Sequence, residues 1–178
     1  LTMPLAELMQ EAVQLVHARY PSLVAGVLRR MPDGRAAELV ASSVADWVPV
    51  VIDLDDSSLT GRSIVRNEIV ASDDVVSDPE FPHQTATARF GMRSALSVPI
   101  PDVGHPWGAV GASGTEPRQW TEDDVAFVDA VAATLGAAVR RQQLESQLQH
   151  QALHDGLTGL PNRALVTDRI EHALDRSG

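Results

Sequence analysis

SALSVPI at residues 94–100 and WGAVGAS at residues 107–113 are the two segments that decide the fold. Both are short runs of small, apolar and β-branched residues, and residues 102–106 between them (DVGHP) are rich in turn formers. They predict a β-hairpin. Gly108, Gly111 and Gly114 would weaken its second strand unless another group has to approach the backbone closely.

Four further strands are predicted upstream of this hairpin. Residues 22–30 and 36–43 read as a first hairpin, because Pro32-Asp33-Gly34 between them supplies the backbone angles of a tight turn. Residues 48–54 predict a third strand, which Pro49 would confine to an edge or an irregular start. Residues 69–71 predict a short fourth strand.

Helices are predicted on both sides of these strands. Apolar residues recur at helical spacing over residues 4–19, residues 59–65 and 84–90 predict short helices, and Gly91 suits the end of the latter. Thr121 is placed to cap a long helix with an acidic first turn. The pattern therefore predicts an α+β fold: an antiparallel sheet of about six strands flanked by helices, with a long C-terminal linker helix.

The last part of that helix has a different character. An apolar stripe runs from Val125 to Val139, and beyond Arg141 only Leu144, Leu148 and Ala152 keep an apolar seam among Gln and Glu residues. A helix with so narrow a seam usually pairs with another helix, which predicts a homodimer. A single solvated linker helix is the alternative.

Composition excludes several classes of function. The 178 residues carry a formal charge of −10, and all 14 basic residues are Arg. Such a surface repels nucleic acid and anionic lipid, so we expect neither as a partner. The chain has no Cys, which removes disulfides, thiolate nucleophiles, Cys-based zinc sites and thioether attachment of a pigment. No apolar run is long enough to span a membrane, and the default expectation is a cytoplasmic location.

One resemblance covers most of the chain. GMRSALSVPI at residues 91–100, PWGAVG at 106–111 and WTEDD at 120–124 are similar to the second half of a GAF domain. Asp73-Asp74 and Asp78-Pro79 also fit its earlier half. The resemblance implies a small-molecule-sensing domain over residues 1–139, followed by a helical, coiled-coil-like linker over residues 140–154.

A second resemblance covers residues 155–178. The motif DGLTGLPNR resembles the opening of the diguanylate cyclase, or GGDEF, domain of bacterial cyclic di-GMP signalling proteins. The matching residues are Asp155, Leu157, Thr158, Gly159, Leu160, Pro161, Asn162 and Arg163. This resemblance implies that the sensor regulates a C-terminal cyclase through a dimeric signalling helix. The alternative is a ligand-free GAF dimerisation module in a cyclase/phosphodiesterase or in a catalytically inactive GGDEF protein.

The resemblance also bears on catalysis. Cyclases of this family condense two GTP molecules with metal-binding acidic residues on a later strand and in the GGDEF turn, and neither element occurs within residues 1–178. We therefore expect these residues not to turn over GTP, and we assign them no catalytic residue, no metal site and no cofactor. GTP and Mg²⁺ would belong to the catalytic domain of a longer protein.

In GAF domains the ligand lies between the sheet and the loops and short helices on one face, here about residues 47–66 and 73–93. The candidate ligand-binding residues are Trp47, Phe81, His83, Phe90, Arg93 and Trp107. Aromatic rings can stack on a planar ligand, and Arg can pair with a carboxylate or phosphate. The alternative for the aromatic residues is that they anchor the core.

Two subclasses of GAF ligand receive less support. Cyclic-nucleotide-binding members carry an Asn-Lys signature, whereas Asn67 is followed here by Glu68. Haem-binding members use a histidine, and His83 is the one of His17, His83 and His105 that falls near the expected pocket. A solvated loop histidine is the alternative for His83. Asp73, Asp74 and Asp78 lack the spacing of a calcium loop, so we interpret them as solvated acids.

Overall fold

A six-stranded antiparallel sheet forms the centre of the structure, a computed structural model that describes residues 3–44, 50–81 and 90–153. Its strands are β1 (Val24–Arg30), β2 (Ala36–Ser42), β3 (Val51–Asp53), β4 (Val70–Ser72), β5 (Ser94–Ile100) and β6 (Gly108–Gly114). Their order across the sheet is β3-β2-β1-β6-β5-β4, so β1 and β6 bring the two predicted hairpins side by side. The predicted α+β fold is confirmed.

Within the described residues, three helices accompany the sheet: α1 (Leu5–Arg19), α2 (Leu59–Arg66) and α3 (Glu122–Leu153). Of the predicted third strand at residues 48–54, the structure assigns Val51–Asp53 as β3. Backbone bonds continue its pairing on both sides, since the Leu39 amide donates to the Val50 carbonyl at 2.9 Å and the Leu54 amide donates to the Arg35 carbonyl at 2.8 Å. Residues 45–49 lie outside the described residues. Of the predicted helix at residues 84–90, the structure describes Phe90 alone. Within the three described ranges, no helix is long and apolar enough to cross a membrane.

The two faces of the sheet are covered differently. Along β5, Leu96, Val98 and Ile100 belong to the main hydrophobic core with α1 and α3, and we name this side the α1/α3 face. Because side chains alternate along a strand, Ala95, Ser97 and Pro99 lie on the opposite side. That side carries α2, whose Ile64 packs with Ala37 and Ala109, and we name it the α2 face.

Close backbone approaches explain two glycines. A Cβ on Gly108 would overlap the carbonyl oxygen of Leu28 on the neighbouring strand, which accounts for glycine directly after Trp107. A Cβ on Gly136, in the middle of α3, would lie 2.6 Å from the carbonyl oxygen of Pro101. The absence of a side chain at these two positions lets the strands pair and lets α3 lie close to the end of β5.

The helix ends follow local chemistry. Ser58 caps α2 by accepting a hydrogen bond from the Gly61 amide at 3.0 Å, and Asn67 closes it in the left-handed region at a φ of 53°. The predicted Thr121 cap of α3 is confirmed, since its hydroxyl accepts from the Asp124 amide at 3.2 Å. Asp124 returns the bond by accepting from the Thr121 amide at 3.1 Å, which is a capping box.

The chain divides into two compact units, Leu1–Val139 and Arg140–Gly178. In the first unit, the predicted stripe of α3 is confirmed: Val128, Ala132, Leu135 and Val139 are buried. In the second unit, two residues of the predicted seam, Leu144 and Leu148, are 59% and 65% exposed in the single chain.

Candidate functional site

The centre of the α2 face is lined by residues with little or no side chain. Gly26 of β1 pairs with Gly111 of β6, and Gly111 pairs in turn with Ser97 of β5. Gly26 and Gly111 are half-buried. Among the described residues, a Cβ on Gly111 would meet the Leu96 carbonyl oxygen at 3.2 Å and no other atom within 4 Å, so these residues leave room above this strand. Small residues in a row across three strands make a shallow floor that a ligand could occupy.

Ser97 adds a polar group to this floor. It is fully buried, and its Oγ has no hydrogen-bond partner among the described residues. Its backbone carbonyl accepts a bond from the Ser63 hydroxyl of α2 at 3.3 Å. A buried hydroxyl left without a partner costs about 1–3 kcal/mol, so a new partner for this Oγ would be favourable. Because the side chain is fully buried, a bound molecule would reach it only if the residues that cover it moved. In the sequence, Ser97 stands between the apolar residues Leu96 and Val98. This alternation was the signal that could have placed Ser97 on the other face of the sheet.

Part of the α2 face is already filled. Ile64 of α2 is fully buried against Ala37 and Ala109, and no ligand could enter there without displacing the helix. Leu39 stands over Gly26, where a Cβ would lie 2.9 Å from its Cδ1. Among the described residues, Gly111 is therefore less closely covered than Gly26.

Phe81, a candidate ligand-binding residue, lies at the edge of this face within a small core. It is buried with Leu59, Val70 and Val75. The guanidinium of Arg62 lies 4.3 Å from the centre of its ring and is paired with the Glu80 carboxylate at 2.5 Å. Arg62 is a residue that sequence reasoning missed, since nothing in its local pattern separates it from a surface arginine. Its Nε is buried without a hydrogen-bond partner in the described part of the chain.

Arg93 is occupied by a protein carboxylate. Its Nε donates to Asp74 Oδ1 at 3.1 Å and its Nη2 donates to Asp74 Oδ2, a bidentate pair. The hydrogen bond from Arg93 holds the pKa of Asp74 below its usual range, and the same bond raises the pKa of Arg93. The Arg93 carbonyl also accepts from the Val75 amide at 2.7 Å. Arg93 thus fixes the segment after β4, and an anionic ligand would have to compete with Asp74 for it.

The two other candidates within the described residues, Phe90 and Trp107, lie outside the cluster around Phe81. Trp107 packs against the core of the α1/α3 face, on the opposite side of the sheet from Phe81. Phe90 is 38% exposed. Trp47 and His83 lie outside the described residues, as does the whole motif at residues 155–163. The predicted role of Trp47 and His83 in ligand binding stays a prediction.

The remaining polar candidates have local partners. His17 lies on α1 with its Nδ1 2.9 Å from the Leu23 carbonyl oxygen, and His105 lies in the turn between β5 and β6. Asp78 accepts from the Ser72 hydroxyl at 2.7 Å, and Asp73 accepts from the Trp120 amide at 3.0 Å. In the part of the chain that the structure covers, no group of three His, Asp or Glu side chains could hold a metal ion.

Solved structures with a similar fold serve different purposes. A methyl-accepting chemotaxis protein fragment superposes with a TM-score of 0.69 at 21% identity, over 80% of this chain and 93% of that one. The GAF domain of PixJ from Thermosynechococcus elongatus gives 0.66 at 19% identity, over 81% and 89%. The free methionine-R-sulfoxide reductase of Thermoplasma acidophilum gives 0.62 at 22% identity, over 78% and 96%. At these identities the likeness shows the fold alone.

A sequence relative has a named activity. The diguanylate cyclase DgcP of Escherichia coli is 31% identical over 124 residues, which are 65% of this chain and 35% of that protein. The chain therefore spans about a third of this relative's length. The family model for the GAF domain matches residues 2–139, which cover the whole sheet, α1, α2 and the first part of α3. This chain belongs to the GAF domain family.

Proposed function

We propose that residues 1–139 bind a small molecule on the α2 face, and that α3 passes the resulting change to a diguanylate cyclase domain of the same protein. The observation that carries the proposal is the 31% identity to DgcP of Escherichia coli. The motif at residues 155–163, directly after α3, supports it through its resemblance to the start of a cyclase domain.

The physical basis is the pairing of two catalytic domains. Two GTP molecules have to meet for cyclic di-GMP to form, so a helix that sets the relative rotation of two cyclase domains controls the rate. In this proposal the chain is a homodimer that pairs through the second unit, where Leu144 and Leu148 are exposed. A ligand needs only about 1.4 kcal/mol of preference for one packing to change the ratio of two packings tenfold.

Helix phase tests the link to the cyclase. In a protein that joins residues 1–153 to the cyclase domain of DgcP, one alanine inserted between Gln142 and Gln143 rotates everything after it by about 100°. We expect the formation of cyclic di-GMP from GTP to change at least about tenfold. Seven inserted residues make about two full turns and should restore the original rate. Equal rates for all three proteins would contradict control by the helix.

The ligand site has its own test. Gly111→Val places a branched side chain on the floor of the α2 face and should abolish any ligand-induced rise in melting temperature. Thermal shifts of the 178-residue chain are measured with GTP, cyclic GMP, cyclic di-GMP and a set of amino acids, beside a visible spectrum for haem. Val103→Ala, in the exposed turn before β6, is the control and should leave the shift intact. A shift that persists in Gly111→Val would place the ligand elsewhere.

A second candidate function is a ligand-free dimerisation module. The fully buried contact of Ile64 with Ala37 and Ala109 favours it, because this part of the α2 face is closed by the protein itself. The two candidates differ in the thermal-shift experiment, where a ligand-free module gives no shift with any compound.

A further inference from the structure

The segment that connects β6 to α3 is hydrogen-bonded to the end of β4. The Arg118 amide donates to the Asp73 carbonyl at 2.9 Å. The Trp120 amide donates to Oδ1 of the Asp73 side chain at 3.0 Å. The Trp120 indole donates to the Ser72 carbonyl at 3.1 Å. Three bonds therefore tie the start of α3 to two consecutive residues of an edge strand and its loop.

The same loop is part of the α2 face. Ser72 donates through its hydroxyl to Asp78, and Asp74 is paired with Arg93. Val75 is buried beside Phe81, in the cluster under Arg62. A molecule that displaces Phe81 or α2 would thus move a segment that holds the beginning of α3.

On its other side, the connecting segment is held by Asp124. This carboxylate is only 6% exposed, and it accepts from the Tyr20 hydroxyl at 2.7 Å and from the Arg118 Nη2 at 3.0 Å. The Arg118 guanidinium lies between two rings, 5.0 Å from the centre of Tyr20 and 5.2 Å from that of Trp120. Tyr20 is the residue that ends α1, so both helices of the α1/α3 face meet at one carboxylate.

This arrangement exceeds what a helix cap needs. Thr121 and Asp124 alone complete the capping box, whereas Arg118, Trp120 and Tyr20 connect it to the loop after β4 and to α1. The Arg118 Nε is buried without a partner in the described residues, so the cluster is not fully satisfied in this state. A buried donor without an acceptor favours any alternative arrangement that supplies one.

We propose that Tyr20, Asp73, Arg118, Trp120 and Asp124 form a mechanical joint, through which a movement of the loop after β4 is transmitted to the start of α3 and to the end of α1. Its use in signalling rests on the proposed sensory function, but the coupling itself is a property of this domain. Linkage makes it reciprocal: loosening the helix side loosens the loop, and loosening the loop loosens the helix.

NMR-detected amide hydrogen exchange on the 178-residue chain, without added ligand, tests the joint in both directions. Asp73→Ala removes one acceptor on the loop side and should raise exchange at the Asp124 and Val125 amides at least about threefold. Tyr20→Phe removes one donor on the helix side and should raise exchange at the Val75 and Ser77 amides to a similar degree. Asp73→Asn keeps an acceptor oxygen and should restore most of the protection.

Asp33→Ala is the matched control. It also removes one side-chain acceptor of a backbone amide, that of Arg35 at 3.0 Å, in the turn between β1 and β2. It should leave the Val75, Ser77, Asp124 and Val125 amides unchanged. The proposal is overturned if Tyr20→Phe accelerates exchange only at the start of α3 and not at Val75 and Ser77. Asp124 would then act only as a helix cap, with no effect on the loop after β4. A uniform acceleration that includes β1 and β6 also overturns it, because the variant is then globally destabilised.

This outcome is independent of the proposed function. A chain that binds none of the tested compounds can still show the coupling, in which case sensing fails and the joint stands. A chain that binds a compound but shows no exchange coupling keeps its sensing role and loses the joint.

Discussion

At the scale of single residues, Asp124 is a buried carboxylate that accepts hydrogen bonds from Tyr20, Arg118 and Thr121. Burial raises the pKa of its carboxyl, but hydrogen bonds from Tyr20, Thr121 and Arg118 together lower this pKa to about 2. Burial, and then the bond to Asp124, raise the pKa of Tyr20. The ionised carboxylate and the neutral phenol therefore stabilise each other in the folded chain.

The low pKa predicts an acid-dependent loss of stability. Because the folded-state pKa of Asp124 lies below its unfolded value near 4, its contribution is fully present above about pH 4 and is lost as the pH falls toward 2. The contribution is up to about 2 kcal/mol. Asp124→Asn should lower the free energy of unfolding, measured in urea at about pH 7. Between about pH 4 and 2, the free energy of unfolding of this variant should fall much less than that of the unmodified chain.

Asp123→Asn is the control for this prediction. Asp123 is the exposed neighbour of Asp124 in the same first turn of α3, so both variants lose the same charge near the helix N-terminus. If the two variants have the same pH dependence, the hydrogen bonds to Asp124 contribute nothing specific to stability.

The Thr121 cap and the left-handed Gly91 could be predicted because each depends on residues within a few positions. The contact between Tyr20 and Asp124 could not, since 104 positions separate the two residues. From sequence, Asp124 is one of three acids that suit the helix dipole, and only the fold separates it from Glu122 and Asp123. The unpartnered Ser97 is a similar case: its position in a strand is predictable, whereas its lack of a partner depends on what α2 places above it.

At the scale of elements, the sequence pattern was sufficient for most of the sheet and its helices. The predicted strand at residues 94–100 has the observed bounds, and α1 and α2 differ from the predicted helices by one residue at one end. These elements have strong periodicity, turn residues at their ends, or both. The third strand is assigned over three residues, and backbone bonds at Val50 and Leu54 extend its pairing with β2 to the predicted end. A strand this short on a sheet edge is defined more by its pairing than by its own pattern.

Strand order is the part of the fold that could not be read from local pattern. Each hairpin is a local event, but the pairing of β1 with β6 joins segments about 85 positions apart. Gly108 connects the local pattern with the strand order. A glycine in this strand is consistent with a close approach to its backbone, and in the structure the approaching group is the Leu28 carbonyl of β1. The candidate site is affected through Trp107, the residue before Gly108. Its ring packs on the α1/α3 face and therefore not on the α2 face, where the candidate site lies.

At the scale of the whole molecule, the exposed leucines of the second unit predict an oligomer. Leu144 and Leu148 lie four positions apart on a polar helix, and a second copy of that helix could bury both. Each buried leucine would contribute about 1.5–3 kcal/mol. The double variant Leu144→Asp/Leu148→Asp should therefore sediment as a monomer at concentrations where the unmodified chain is a dimer.

The control for this prediction places the same two charges elsewhere on the same helix. Gln142 and Ser146 are exposed and, at about 100° per residue, lie on the opposite side of the helix from the two leucines. Gln142→Asp/Ser146→Asp should keep the dimer, because both positions are exposed and lie away from the two leucines. If both double variants remain dimeric, the subunits pair through the first unit and not through this helix.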